Sequence, residues 1–410
     1  MVWNVKTVKK YLIKCYNRAM QLTVCDYPWT HFEVNNPNGD VTMCCDSPVV
    51  LGNVNSQTIE EIWNGEGYRS IRKAMLTRGA HDLCYPNCAV LKGSKSYQRL
   101  NWYKQLEPEL ELYKNALLSD EEIKAGSLVL KSLPRWVRFA YSYVCNLNCY
   151  HCYQKDIRAQ NKVLPEKFFT EIDSILKYLQ VIFYFGGEPF MYEPAKRLMA
   201  SWSENKHCRH FFISNATLLT DEIFTMLNRI NIGVFGVSLD AARESTYKLL
   251  RGNFWGRVVK NLQKIQELKA RQGFPFFIAM TLNSQNIGEI EEFTDLALSL
   301  EAAPEIALVS NPASGFRESL TFQKKYLHFS GAALREAYRQ IENSLVKIRN
   351  KSGMPDSEIM YAHQTALLKA HEKFQNNLPL FIVYRNAIEP LIKRSGMIKT
   401  IARKIRSRLG

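Results

Sequence analysis

Three cysteines within eight residues are the feature of this sequence most able to do chemistry. Cys145, Cys149 and Cys152 are separated by three and then two residues, so one short segment carries three thiols. Iron–sulfur clusters are held by thiolates, and a cubane cluster usually takes four of them. Three ligands would leave one iron open to bind another group. Zinc is the alternative, with His151 as a fourth ligand, because zinc also binds cysteine and histidine.

A glycine-rich turn follows further along the chain, with the sequence Phe-Gly-Gly-Glu-Pro over residues 185–189. Gly186 and Gly187 have no side chain and let a backbone approach a ligand closely. Glu188 adds a carboxylate, which accepts a charge-assisted hydrogen bond from an ammonium group. By itself this pattern indicates a turn in the backbone.

Together, the cysteine triplet and the glycine-rich turn resemble the radical SAM superfamily. The resemblance implies that Cys145, Cys149 and Cys152 are the catalytic residues and hold a [4Fe–4S] cluster. It implies that the open iron binds S-adenosylmethionine, whose amino group meets the glycine-rich turn. In this family the reduced cluster passes one electron to S-adenosylmethionine, giving methionine and a 5′-deoxyadenosyl radical that abstracts hydrogen from a substrate. A reductase or flavodoxin-type protein would donate the electron.

Further contacts to S-adenosylmethionine are implied at the ends of later strands. Ser214-Asn215-Ala216 stands where relatives often have Thr-Asn-Gly, and Ser238 begins a Ser-x-Asp pattern. Arg251 ends a Tyr-x-x-x-Arg-Gly pattern, and its guanidinium suits a carboxylate bidentately. The implied cofactor-binding residues are Gly186, Gly187, Glu188, Ser214, Asn215, Ser238, Arg251 and His151, the last through its backbone beside adenine.

A second group of cysteines lies near the N-terminus, interspersed with Pro-Trp, Gly39, Gly-Asn and Ile-Trp. This order resembles the SPASM and twitch auxiliary-cluster domains of radical SAM enzymes, although the module precedes the barrel here. The small number of cysteines implies the shorter twitch form, with one auxiliary [4Fe–4S] cluster. The implied ligands are Cys25, Cys44, Cys84 and Cys88. Spacing from Gly39 favours Cys44 over its neighbour Cys45, and a zinc knuckle is the alternative.

Strand-like and helix-like segments alternate from residue 135 onward. The predicted strands are Trp136–Val144, Val181–Phe185, His210–Ser214, Gly233–Leu239, Phe276–Leu282 and Glu305–Val309. Such alternation is typical of parallel β/α units, whose active sites lie at the carboxyl ends of the strands. The predicted fold is α/β: a partial (β/α)6 TIM-like barrel, as in the radical SAM family, with a small N-terminal α+β iron–sulfur domain and a helical C-terminal extension. The predicted domains are an auxiliary-cluster domain (1–92), a helical linker (93–133), the barrel (134–315) and the extension (316–410).

Composition favours a cytoplasmic protein. The 410 residues contain no apolar stretch long enough for a membrane span, and lysines and arginines interrupt the first twenty residues. The net charge of +15 favours an anionic partner. The segment Lys393 to Gly410 combines seven basic residues with an apolar stripe, which predicts weak contact with an anionic membrane or an acidic partner. A basic helix packed on the protein is the alternative.

The predicted substrate is a peptide or protein, since relatives with SPASM or twitch domains often modify peptides. In that hypothesis the auxiliary cluster accepts the electron left on the substrate after hydrogen abstraction. The first alternative is a sugar or another small molecule as substrate. The second is a different class of protein, a non-catalytic zinc or iron–sulfur protein.

Overall fold

The computed structural model describes residues 24–45, 47–79, 83–84, 96–158, 160, 162–201, 206–309, 325–351 and 361. Cys88 and the basic tail from Lys393 to Gly410 lie outside the described residues, so their predicted roles stay predictions. No helix in the described part of the chain is long and apolar enough to cross a membrane.

The strands are β1 (His31–Val34), β2 (Asp40–Thr42), β3 (Gly52–Asn53), β4 (Trp136–Ala140), β5 (Val181–Phe185), β6 (Arg209–Ser214), β7 (Ile232–Ser238), β8 (Phe276–Leu282) and β9 (Ala303–Leu308). The α-helices are α1 (Tyr27–Thr30), α2 (Ile59–Trp63), α3 (Glu66–Arg78), α4 (Glu111–Ala125), α5 (Lys155–Arg158), α6 (Glu166–Ile175), α7 (Glu193–Ser201), α8 (Asp221–Leu227), α9 (Glu244–Arg251), α10 (Trp255–Gln272), α11 (Ile290–Ser299) and α12 (Gly331–Asn350). Short 3₁₀ helices cover Ser96–Gln105, Leu176–Tyr178, Pro189–Met191 and Ile287–Glu289.

The chain forms two compact units, the first from residues 1–238 and 251–276, the second from 239–250 and 277–410. In the first unit the strands run in the order β3-β2-β1-β4-β5-β6-β7. Strands β4 to β7 are parallel, and β1 pairs parallel with β4 and antiparallel with β2. In the second unit β8 and β9 are parallel. These parallel β/α units confirm the predicted α/β class.

The two faces of strands β4 to β6 differ in burial. Successive side chains of a strand point to opposite faces. One set is fully buried on the helix side, where the Phe139 ring meets Phe168 and Phe169 of α6 edge-on. The other set includes side chains that are half-buried or exposed, namely Arg138, Phe183, Phe185, Arg209, Phe211 and Ile213. These side chains, here called the inner face, are apolar and aromatic apart from Arg138 and Arg209.

The N-terminal landmarks of the sequence form a packed core beside β1. The Arg72 guanidinium is buried and lies 4.7 Å from the Trp63 ring centroid and 5.1 Å from that of Tyr68. It donates to the carbonyls of Pro28 and Leu128, both at 2.9 Å. These bonds offset part of the cost of burying the charge, although Arg72 Nη2 has no hydrogen-bond acceptor among the described residues. The core therefore fixes the segments that carry Cys25 and Cys44.

Candidate active site

The cysteine triplet lies on the loop that follows β4, at the carboxyl end of that strand. Cys145, Cys149 and Cys152 are all half-buried, whereas Leu147 between them is 2% exposed and anchors the loop. The Cys152 amide donates to the Cys149 carbonyl at 3.2 Å, which closes a turn. The loop thus presents three soft sulfur donors from a fixed backbone. Across the described residues, no three Cys, His, Asp or Glu side chains converge on a point suited to a single metal ion.

The glycine-rich turn after β5 is pressed against this loop. Gly186 and Gly187 have φ values of +81° and +56°, the left-handed region that glycine adopts readily. A Cβ at Gly187 would lie 2.0 Å from the Val144 carbonyl oxygen. The next amide, that of Glu188, donates to the same oxygen at 3.0 Å. Only glycine allows the two backbones to come this close, so the glycine-rich turn packs directly against the cysteine loop.

We expect Gly187→Ala to lower the midpoint of urea unfolding, by the equivalent of about 2–4 kcal/mol, because the new methyl meets a backbone oxygen at a strained φ. Gly256→Ala is the matched control in the same unit. Gly256 lies within α10 and its Cβ would meet nothing within 4 Å, so alanine should raise stability by up to about 1 kcal/mol. Equal midpoints for the Gly187 variant and the unmodified protein would contradict the close approach.

Glu188 is buried where the ends of β5 and β6 meet, with 1% of its surface exposed. Its carboxylate accepts hydrogen bonds from the Ser214 hydroxyl at 2.7 Å and from the backbone amide of Asn215 at 2.8 Å. Burial raises the pKa of Glu188 to about 7, while these hydrogen bonds and the nearby Arg251 charge act in the opposite direction. The Glu188 carboxylate therefore accepts hydrogen bonds from its neighbours, but these neighbours do not fully offset the cost of burying its charge.

Asn215 connects the end of β6 to the cysteine loop. Its side-chain amide donates to Cys145 Sγ at 3.7 Å and to Asn146 Oδ1 at 3.0 Å. Its carbonyl oxygen accepts from the Thr217 amide at 2.8 Å, and Asn146 in turn donates to the Thr217 hydroxyl at 2.8 Å. Ala216 has a φ of +59°, which explains why relatives often have glycine there. One continuous network thus links the three loops.

The structure brings together Cys145, Glu188, Ser214, Asn215 and Arg251, five of the residues that the sequence predicts for the site. Arg251, 8% exposed, ends α9 close enough to affect the pKa of Glu188. His151, also 8% exposed, lies within the cysteine loop. Ser238 ends β7 and is partly buried. Their contacts with S-adenosylmethionine stay predictions.

Several residues of the site are absent from the sequence-based prediction. Asn146 and Thr217 belong to the network above, and Gln154 Oε1 accepts from the Gly187 amide at 3.2 Å. Arg158 donates to the Leu147 carbonyl at 2.6 Å and to Cys152 Sγ at 3.6 Å. Asn146, Gln154 and Arg158 lie in or beside the cysteine triplet in sequence, and Thr217 follows Ser214-Asn215-Ala216, which is the signal that would have found them.

The N-terminal cysteines differ in exposure. Cys25 and Cys44 are 3% and 5% exposed, Cys84 is half-buried and Cys45 is exposed. Cys44 lies near Tyr68, whose pKa is raised mainly by burial and further by that thiol. The packed core around Arg72 thus holds Cys44 inward and leaves its neighbour at the surface.

Two family models match the chain. Residues 140–297 match the Radical SAM superfamily, and residues 25–89 match the SPASM iron–sulfur cluster-binding domain. The chain belongs to the radical SAM superfamily. Membership implies a [4Fe–4S] cluster and S-adenosylmethionine as cofactors, and the second match indicates an auxiliary iron–sulfur cluster in the N-terminal region. Iron–sulfur chemistry is thus favoured over zinc at both cysteine groups of this radical SAM protein.

Similar proteins share only part of its length. It is 34% identical over 167 residues to the Fe-coproporphyrin III synthase of Methanosarcina barkeri, covering 40% of each protein. It is 30% identical over 180 residues to the AdoMet-dependent heme synthase of the same organism, covering 43% of this chain and 50% of that protein. Streptococcus suis SuiB bound to its precursor peptide SuiA has a TM-score of 0.42 and 17% identity, over 79% of this chain and 70% of SuiB. The chain therefore spans half or less of the length of these two curated relatives.

Proposed function

We propose that this protein reductively cleaves S-adenosylmethionine and uses the resulting 5′-deoxyadenosyl radical to abstract hydrogen from a substrate. The observation that carries the proposal is the hydrogen-bonded network joining Cys145, Glu188 and Asn215 at the carboxyl ends of three parallel strands. Cys145, Cys149 and Cys152 would hold the cluster. Glu188 and Arg251 would face the amino and carboxylate groups of S-adenosylmethionine, because each offers the opposite charge. A reductase or flavodoxin-type protein would supply the electron.

The inner face supports a substrate that presents an apolar group to the radical. Phe185 ends β5 and directly precedes Gly186, and Ile213, 36% exposed, directly precedes Ser214. The Arg138 guanidinium lies 3.7 Å from the centroid of the Phe185 ring and pairs with Glu33 at 3.1 Å. An apolar wall beside the motifs excludes water, which a reactive radical requires. A peptide or protein with an apolar side chain is the substrate that we propose.

A tetrapyrrole is the second candidate substrate. The two relatives from Methanosarcina barkeri are named for Fe-coproporphyrin III and heme, and they share 34% and 30% identity with this chain. The flat aromatic rings of Phe183, Phe185 and Phe211 suit stacking against a planar macrocycle. Arg138 would pair with a carboxylate of such a ring.

The proposed function is tested with anaerobically reconstituted protein, dithionite and S-adenosylmethionine. We expect slow formation of 5′-deoxyadenosine and methionine without substrate. A peptide encoded beside the gene should accelerate that formation if the substrate is a peptide, and Fe-coproporphyrin III should do so if it is a tetrapyrrole. A reconstituted protein that reduces its cluster but releases no 5′-deoxyadenosine would overturn the proposal.

The auxiliary cluster is proposed to accept the electron left on the substrate. Four candidate ligands, Cys25, Cys44, Cys84 and Cys88, would occupy every iron of a cubane and leave none for the substrate. The burial of Cys25 and Cys44 supports a shielded cluster that transfers electrons rather than binding a ligand.

Neighbouring cysteines allow a direct test of this ligand set. We expect Cys44→Ala to remove about half of the iron of reconstituted protein, because one of two cubanes would lose a ligand. Cys45→Ala, which alters the exposed neighbour, should leave the iron content unchanged. Iron and sulfide analysis measures both variants, and the opposite pattern would assign Cys45 as the ligand.

A further inference from the structure

Arg158 holds both ends of the catalytic cysteine loop with one guanidinium group. One of its terminal nitrogens donates to the Leu147 carbonyl at 2.6 Å and the other to Cys152 Sγ at 3.6 Å. Its Nε–H is buried and has no hydrogen-bond acceptor among the described residues, so a further donor is available. The planar fork of arginine allows these contacts at once, whereas an ammonium would act as a point charge.

Hydrogen-bond donors lie close to the sulfurs of Cys145 and Cys152 in this loop. The Leu147 amide donates to Cys145 Sγ at 3.4 Å. A second N–H donor, the side-chain amide of Asn215, lies 3.7 Å from Cys145 Sγ. Arg158 therefore supplies a charged donor to Cys152 Sγ, whereas the donors to Cys145 Sγ are uncharged amides.

We propose that Arg158 is a positioning residue that raises the reduction potential of the catalytic cluster through its contact with Cys152 Sγ. The inference rests on the proposed function, in which the triplet holds that cluster. Reduction adds one electron and breaks no bond, so the cluster and its thiolates become more negative by one charge. An N–H donor and a fixed positive charge stabilise the reduced state more than the oxidised state. Hydrogen bonds to the sulfurs and net charge are the terms by which proteins set such potentials.

The test compares three variants by redox titration with dithionite, followed by electron paramagnetic resonance. Arg158→Gln removes the charge and the fork, and Arg158→Lys keeps the charge without the fork. Lys155→Gln is the matched control, since Lys155 lies one turn earlier on α5 and donates to the Tyr150 carbonyl at 3.0 Å rather than to a sulfur. The catalytic cluster is distinguished from the auxiliary one by the change of its spectrum when S-adenosylmethionine is added.

We expect Arg158→Gln to lower the ratio of reduced to oxidised catalytic cluster about tenfold at a fixed potential, which is a shift of about 59 mV for a one-electron couple. Arg158→Lys should fall between that variant and the unmodified protein, and Lys155→Gln should show a smaller shift than either. If Arg158→Gln does not retain iron, the reduction midpoint potential of the catalytic cluster in Arg158→Lys tests the inference instead.

An unchanged midpoint in the Arg158 variants that retain iron would overturn the inference while leaving the proposed function intact. An equal shift in Lys155→Gln would also overturn it, because a general positive field would then explain the potential. Absence of any spectrum that responds to S-adenosylmethionine in the unmodified protein would contradict the proposed function instead.

Discussion

Replacing Cys145, Cys149 and Cys152 together with alanine is expected to abolish 5′-deoxyadenosine formation. The iron content should fall from about eight to about four atoms per chain, because only the auxiliary cubane keeps its thiolates. The effect is large since no other described sulfur lies on the loop between β4 and α5. Iron analysis of anaerobically reconstituted protein and chromatography of the reaction products measure the two quantities.

Cys45→Ala serves as the control for this experiment, because it removes an exposed thiol outside the proposed ligand sets. It should retain both the iron and the cleavage reaction. If the triple variant forms 5′-deoxyadenosine as fast as the unmodified protein, the proposed role of the triplet is wrong. An unmodified protein that stays at one cubane's worth of iron would contradict the proposed auxiliary cluster.

Glu188→Ala is expected to weaken the binding of S-adenosylmethionine about tenfold to a hundredfold. A hydrogen bond to a charged group contributes about 1.5–3 kcal/mol, and about 1.4 kcal/mol corresponds to a factor of ten in affinity. The carboxylate also accepts from Ser214 and Asn215, so its loss leaves buried donors without an acceptor. Equilibrium binding of S-adenosylmethionine to the reconstituted protein measures the effect.

Two variants separate binding from structural support. Glu188→Gln keeps the size of the side chain but removes its charge, and we expect it to lose most of the affinity. Ser214→Ala removes one donor to the carboxylate and should change affinity much less. If both Glu188 variants bind S-adenosylmethionine as tightly as the unmodified protein, Glu188 acts only as a structural acceptor between β5 and β6.

The sequence by itself determined the chemistry of the site and the class of the fold. The cysteine spacing and the glycine-rich turn are local patterns, so their meaning does not depend on the rest of the chain. The alternation of strand-like and helix-like segments predicted the parallel strands, and β5 and β8 have the predicted bounds. Strand β4 ends at Ala140 rather than at the predicted Val144, because the following backbone turns to meet Gly187 and Glu188.

The tertiary structure decided which segments meet. The parallel pairing of β1 with β4, the partners of Glu188 on β6 and the contact of Arg158 with Cys152 are not apparent in any local pattern. Helix α9 was not predicted, since its eight residues are fewer than the window over which a helical period is judged. Strand register and side-chain hydrogen bonds depend on groups that are distant in the chain and near in space. For this reason candidate ligands could be proposed from the sequence, whereas the network that positions them could not.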